Sequence, residues 1–178
     1  MWLYFFAFFF VFLDFPITLP NGVASVNLMP DFVGYVLLFL ARPTARHEGN
    51  SFRRLHLAAL PIAALALAEF FLNLFGVALP LAVELPISIL MTACALYVTY
   101  EYSEGVKDIQ RCLFKRLGAD KVASAWAFLC ISSLLLFIVT FFPAASLPAY
   151  LLHWLAFAWL EGSIYHFNRR LSGRERPE

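Results

Sequence analysis

The sequence predicts an all-α protein, a polytopic membrane helix bundle of about six transmembrane helices in one integral membrane domain, residues 1–178. Of these residues 62% are hydrophobic and 14% are charged, whereas an ordinary soluble domain is about 25% charged. Apolar runs long enough to cross a bilayer, about 20 residues each, recur along the chain. The basic residues are confined to three short segments, two between these runs and one after the last run. Together the three observations indicate that lipid surrounds most of the protein.

The apolar runs set the limits of the six predicted spans. They are residues 2–19, 22–41, 56–76, 85–100, 122–142 and 149–167. No Lys or Arg precedes the first run and Asp14 interrupts it, so we expect a retained helix rather than a signal peptide. The third run is rich in alanine, and small residues let helix backbones approach closely in lipid.

The second span is interrupted by Pro30 and Asp31. A helix from Asp31 to Ala41 would rise only about 16 Å, roughly half the thickness of a bilayer. Irregular backbone at membrane depth survives only where protein or water satisfies its polar groups. We therefore predict an irregular segment that enters the membrane from outside and a helix that begins near Asp31.

A helical, amphipathic extension of the fourth span is predicted over residues 101–118. Val106, Ile109, Leu113 and Leu117 recur there at helical spacing, with basic residues between them. Two interpretations are open: the apolar side binds a protein partner or the lipid surface, or it packs on the protein's own connection.

The distribution of the basic residues along the chain predicts how the protein is oriented in the membrane. All 13 Lys and Arg residues fall within residues 42–54, 107–121 and 169–176. Six spans place these three segments on one face, and the positive-inside rule assigns that face to the cytoplasm. Both termini are then cytoplasmic.

Acidic residues lie near the opposite face, where the sequence places no Lys or Arg. Asp14, Asp31, Glu69 and Glu84 all fall in the outer half of this topology. An acid inside a span is a candidate functional residue, because a charge near the bilayer centre is costly. His153, early in the sixth span, is the titratable base on that side. We predict that Asp14, Asp31, Glu69 and His153 form a site for a small cation or a proton.

Structural roles stay open for the same residues. Asp31 follows Pro30 and would stabilise a helix N-terminus through the helix dipole. Asn73 follows Glu69 by one turn, and its side chain would form a hydrogen bond with a neutral Glu69 carboxyl group. Glu161, near the inner end of the sixth span, is expected to pair with the arginines that follow it.

Signatures of other functions are missing from the sequence. It contains no HExxH, GxSxG, P-loop or GxGxxG motif and no Cys or His grouping typical of a zinc site. The basic residues are not interleaved with aromatic ones, so nucleic-acid binding is not expected. We predict a protein that is not an enzyme and has no cofactor.

Two stretches carry a resemblance. The first contains Asp14-Phe15, Asn21-Gly22 and residues 28–35, Leu-Met-Pro-Asp-Phe-Val-Gly-Tyr, and the second is residues 105–110, Gly-Val-Lys-Asp-Ile-Gln. They resemble functionally uncharacterised small multi-span membrane proteins of Gram-positive anaerobic bacteria, which carry a Leu-Pro-Asp-Phe-Ile-Gly-Tyr-like motif and a later Gly-Ile-Lys-Asp-Ile-Glu-like one. Met29 replaces the usual Leu and Gln110 the usual Glu. The resemblance implies a bacterial plasma membrane, gives weight to Asp31, Gly34, Tyr35 and Asp108, and transfers no activity.

Three functional hypotheses follow. The first is a non-catalytic membrane partner, a scaffold or sensor, that holds a cytoplasmic or membrane protein through the 101–118 extension. The second is a transporter or channel for a small cation or cationic solute with an outward-facing acidic site, as expected of unpaired acids beside a broken helix. The third, an intramembrane enzyme acting on lipid, lacks a recognisable nucleophile or metal set.

Overall fold

The computed structural model describes residues 1–13, 16–18, 25–27, 29–41, 49–77, 79–139, 142 and 145–173. These residues form six helices and one hairpin of two three-residue strands, so the predicted helical fold is confirmed at that level. In chain order the elements are α1 (Trp2–Phe12), β1 (Pro16–Thr18), β2 (Ser25–Asn27), α2 (Asp31–Leu40), α3 (Asn50–Leu74), α4 (Leu81–Leu113), α5 (Ala119–Val139) and α6 (Ser146–Leu171).

The six helices form a closed ring. Each helix packs against the next one in sequence, and α6 packs back against α1. One end of the ring, which we call the site end, is where α1, α3 and α5 end and α2, α4 and α6 begin. The other end carries the described basic residues and is called the basic end.

Three helices, α3, α4 and α5, are long and apolar enough to cross a membrane. Among the described residues these three meet that criterion, rather than the six predicted. Helices α1 and α2 contain 11 and 10 residues, and therefore rise only about 15–17 Å. A membrane location follows from the three long helices.

The first two predicted spans are shorter than we expected. Helix α1 ends at Phe12 instead of continuing to residue 19, and an antiparallel hairpin follows in which Ile17 lies opposite Val26. Proline lacks an amide proton and disfavours helix in the residue before it, so Pro16 begins a strand instead. Helix α2 begins at Asp31 with Pro30 as its N-cap, as predicted.

The inner boundaries of α3 and α4 also differ from the prediction. Helix α3 begins at Asn50, so Arg53 and Arg54 belong to its first turns and not to a loop. Helix α4 runs without a break for 33 residues, which joins the fourth span to the predicted extension. It ends at Leu113 rather than at Gly118, because Phe114 adopts a left-handed backbone conformation with φ 51°.

Gly34 makes the close contact between α1 and α2 possible. A Cβ atom added at Gly34 would lie 2.6 Å from both the Ala7 carbonyl oxygen and the Val11 Cγ2 atom. Atoms cannot approach that closely without moving a helix backbone. The glycine in the first motif is therefore explained by helix packing.

We expect Gly34→Ala to destabilise the fold by about 1–3 kcal/mol, the usual cost of overpacking a helix contact. Gly162→Ala is the matched control, because nothing lies within 4 Å of a Cβ atom added there, and alanine favours a helix interior by up to about 1 kcal/mol. Thermal unfolding in detergent measures both. An equal fall of the unfolding temperature in the two variants would contradict the close contact.

Candidate functional site

A cavity of about 590 Å³ lies inside the ring at the site end. All six helices contribute to its wall, together with the last residue of β2. Exposed lining residues, including Asn73 and Tyr150, show that the cavity reaches the protein surface. Its polar lining consists of Asn27, Asp31, Tyr35, Glu69, Asn73, Ser88, Thr92, Ser133, Tyr150 and His153.

Asp31 is positioned by the turn that joins β2 to α2. The Met29 amide donates to Asn27 Oδ1 over 3.0 Å, and Asn27 Nδ2 donates to Asp31 Oδ1 over 3.4 Å. A side chain that bonds the backbone two residues on is typical of an Asx turn. Asp31 is also the first residue of α2, where the helix dipole favours a negative charge. The structural role predicted for Asp31 and its place in the cavity are thus compatible.

Glu69 lies on α3 at the level of Asp31. Phe32 and Phe70, the residues that follow these two acids, pack edge to face with ring centroids 5.4 Å apart. This contact holds the start of α2 against the outer part of α3. Asn73, one turn after Glu69, also lines the cavity. Two carboxyl groups from neighbouring helices therefore share one polar space.

His153 reaches the cavity from α6. Its Nδ1 atom lies 3.2 Å from the Oγ atom of the buried Ser132 on α5. The Ser132 Oγ atom also lies 2.9 Å from the Leu129 carbonyl oxygen, to which it donates. The contact with Ser132 therefore holds the His153 ring at the wall of the cavity.

Three of the four predicted site residues thus line one cavity: Asp31, Glu69 and His153. Asp14 lies outside the described residues. Glu84, the other acid predicted on this side, is exposed in the first turn of α4 and does not belong to the lining.

Several lining residues were not singled out in the sequence. Ser88 and Thr92 lie four residues apart on α4, and Ser133 lies on α5. Small polar residues at helical spacing inside an apolar run are a signal that would have identified the pair on α4. Tyr35 was noted for its motif alone, and its place in the wall depends on how α2 packs.

Aromatic rings form much of the remaining wall. Phe12, Phe70 and Phe137 line it together with the two tyrosines. Aromatic faces attract cations, and small-molecule sites commonly measure about 300–1,000 Å³. Within the described part of the chain, no group of three or more His, Cys, Asp and Glu side chains is arranged to hold a metal ion. The lining suits an organic cation by its charge, its rings and its size.

Comparisons of the chain with protein-family models, curated proteins and solved structures find no match. The geometry of the cavity is therefore the basis for a functional proposal.

An aromatic layer closes the ring on the basic side of the cavity. Tyr4, Phe8, Phe52 and Tyr102 are fully buried. Their ring centroids lie 5.1 Å apart for Tyr4 and Tyr102, 5.2 Å for Phe8 and Tyr102, and 5.5 Å for Tyr4 and Phe52. A ligand in the cavity cannot pass this layer unless the helices move.

The predicted partner surface is occupied by the protein itself. Val106, Ile109 and Leu117 are buried in the core, and Leu113 packs against it. Leu117 lies beyond the end of α4, where Gln110 Oε1 accepts backbone hydrogen bonds from residues 117, 118 and 119 over 2.9–3.1 Å. The four apolar side chains therefore do not form the free surface that we predicted. Of the two interpretations, the structure supports packing on the protein's own connection.

Two tyrosines in the aromatic layer give a matched test of its polar contacts. Tyr4 Oη donates to the Ala41 carbonyl oxygen over 2.8 Å and lies 2.9 Å from His56 Nε2, whereas Tyr102 Oη has no hydrogen-bond partner among the described residues. We expect Tyr4→Phe to cost about 1 kcal/mol of stability or more, because it leaves buried partners unsatisfied.

Tyr102→Phe should leave the unfolding temperature unchanged or raise it, because it removes a buried hydroxyl that has no partner. Thermal unfolding of both variants, followed by size-exclusion chromatography, gives the comparison. A larger loss for Tyr102→Phe than for Tyr4→Phe would contradict the hydrogen bonding described here.

Proposed function

We propose that the protein binds a small organic cation in the cavity at the site end and carries it across the membrane. The observation that carries the proposal is the convergence of Asp31 and Glu69 on one aromatic-lined cavity of about 590 Å³. Its described lining contains two carboxyl groups and no Lys or Arg. A cation there replaces water around the carboxylates and contacts the ring faces at the same time.

We further propose that all six helices lie within a bacterial plasma membrane, with both termini in the cytoplasm. The positive-inside rule supports this orientation, since the described basic residues lie at one end of the ring and the cavity at the other. Helices α1 and α2 would then each cover about half of the bilayer, and the β1–β2 hairpin would fill part of the outer half. The resemblance of residues 28–35 and 105–110 to bacterial membrane proteins supports the choice of membrane.

The scaffold hypothesis is less well supported than cation binding. It depended on a free apolar surface at residues 101–118, and three of its four side chains are buried. Cation binding depends on side chains that line an accessible cavity.

Binding of tetraethylammonium to the detergent-purified protein, measured by isothermal titration calorimetry, tests the site. We expect Asp31→Asn and Glu69→Gln each to weaken binding by about tenfold or more, because removing a carboxylate near the cation costs more than about 1.4 kcal/mol. Both substitutions keep the size of the side chain, so the cavity retains its shape.

Glu84→Gln is the matched control, since it removes an acid at the same end of the ring but outside the cavity. It should leave the affinity unchanged. Failure of the unmodified protein to bind tetraethylammonium, or an equal effect of all three substitutions, would overturn the proposed site.

The orientation has a separate test with a membrane-impermeant maleimide on intact cells. Asn73→Cys, exposed at the mouth of the cavity, should react from outside. The native Cys112 is exposed at the basic end of α4 and should react only after the membrane is permeabilised. Cys94 and Cys130 are replaced by alanine in both samples, and Cys112 is replaced as well in the Asn73→Cys sample, so that each sample reports one position. Reaction of Cys112 in intact cells would reverse the proposed topology.

A further inference from the structure

Glu161 has a buried carboxyl group that does not line the cavity. It lies on α6 toward the basic end and is only 7% exposed. Neither of its carboxyl oxygens has a hydrogen-bond partner among the residues that the structure describes. The sequence led us to expect an ion pair with a nearby arginine, and the structure does not contain one within its described part.

Glu101 provides the contrast. It is equally buried, at 3% exposed, and its Oε1 atom lies 3.0 Å from Arg54 Nε. A buried carboxylate is stable when a guanidinium group pairs with it. Without such a pair the charged form is far more costly than the neutral acid, so a group in the position of Glu161 holds a proton instead.

The groups packed around Glu161 offer it no ion pair among the described residues. Helix α1 brings the amino terminus to α6 beyond Glu161, where Asn168 Nδ2 donates to the Met1 carbonyl oxygen over 3.4 Å. Tyr102 of α4 lies close enough to interact with it electrostatically, and its buried hydroxyl has no partner among the described residues. Tyr4 of α1 packs against Tyr102, and His56 of α3 contacts the Tyr4 hydroxyl. Helix α5, which also packs against α6, carries its described charges, Asp120 and Lys121, on its exposed first turn.

We propose that Glu161 is a proton-binding site within the membrane domain, and that its proton exchanges for the cation bound in the cavity. The coupling rests on the proposed cation site, whereas the protonation of Glu161 does not. In each cycle one O–H bond of the Glu161 carboxyl breaks and its proton leaves to water on the cytoplasmic side. The carboxylate then takes up a proton that enters from the outer side, while the cation crosses in the opposite direction. No covalent intermediate or redox partner is required.

Helix α6 connects the two sites. His153 lines the cavity, Phe157 is buried in the core, and Glu161 follows at the same four-residue spacing, so the three residues lie near one side of the helix. The distance along the axis from His153 to Glu161 is about 12 Å. A displacement of α6 that opens the cavity therefore also changes the surroundings of Glu161.

Reaction with dicyclohexylcarbodiimide tests directly whether Glu161 of the unmodified protein holds a proton. The acid O–H adds across a C=N bond of this apolar reagent to give an O-acylisourea, whose acyl group then migrates from oxygen to nitrogen to leave a stable N-acylurea. The reaction therefore requires a protonated carboxyl group in an apolar environment. After treatment at neutral pH, mass spectrometry should locate the adduct on Glu161 and not on the ion-paired Glu101. Labelling should fall by about tenfold for each pH unit once the carboxyl group ionises.

Absence of the adduct from Glu161, or equal labelling of Glu101, would overturn the proton site. The assay does not use a variant, so loss of folding cannot mimic a negative result. Glu161→Gln, checked by size-exclusion chromatography, should abolish the labelling at that position.

The coupling is tested in proteoliposomes with radiolabelled tetraethylammonium. A pH gradient should drive its accumulation by the unmodified protein, and Glu161→Gln should abolish this accumulation while leaving tetraethylammonium binding in detergent unchanged. Accumulation that persists in Glu161→Gln would overturn the coupling. If the unmodified protein binds no tetraethylammonium, the cation site fails, and the carbodiimide result still decides whether Glu161 holds a proton.

Discussion

In the membrane placement that we propose, the requirement that peptide groups at membrane depth form hydrogen bonds governs this fold. Helices α1 and α2 are each too short to cross a bilayer, and the chain between them includes the paired strands β1 and β2. Strand pairing satisfies backbone groups there, and the Asn27 side chain bonds the Met29 amide where the hairpin turns into α2. Broken backbone of this kind is tolerated in membranes where it lines a cavity. The interruption at Pro30 and the cavity are therefore parts of one arrangement.

Acidic side chains have different partners at the two ends of the ring. At the basic end Arg54 pairs with the buried Glu101, and on α4 Lys107 pairs with Glu104 and Arg111 with Asp108. At the site end Asp31 depends on an amide side chain and a helix N-terminus. These two contacts hold the Asp31 carboxylate at the wall of the cavity.

The sequence was sufficient to predict features that depend on one segment at a time. The start of α2 at Asp31 follows from Pro30, and the position of Asp31 and Glu69 at the end of the ring opposite the described basic residues follows from charge sorting. Features that depend on neighbouring helices were not predictable. The burial of Val106 and Ile109 requires the helices around α4, and the isolation of Glu161 depends on which way its side chain faces in the ring. The spacing of apolar residues along a single helix shows neither how the neighbouring helices pack nor which way a side chain faces in the ring.

The aromatic layer determines how the cavity is related to the rest of the bundle. Tyr4, Phe8, Phe52 and Tyr102 separate the cavity from the basic end with rings in direct contact, and packed cores change between discrete arrangements rather than deforming continuously. A bundle that only bound a ligand would have no need of a second buried ionisable group beside this layer, where Glu161 interacts with Tyr102. Glu161 and His153 lie on the same helix, α6, so this helix takes part in both proposed sites. This shared helix is the physical reason to connect cation binding with proton release.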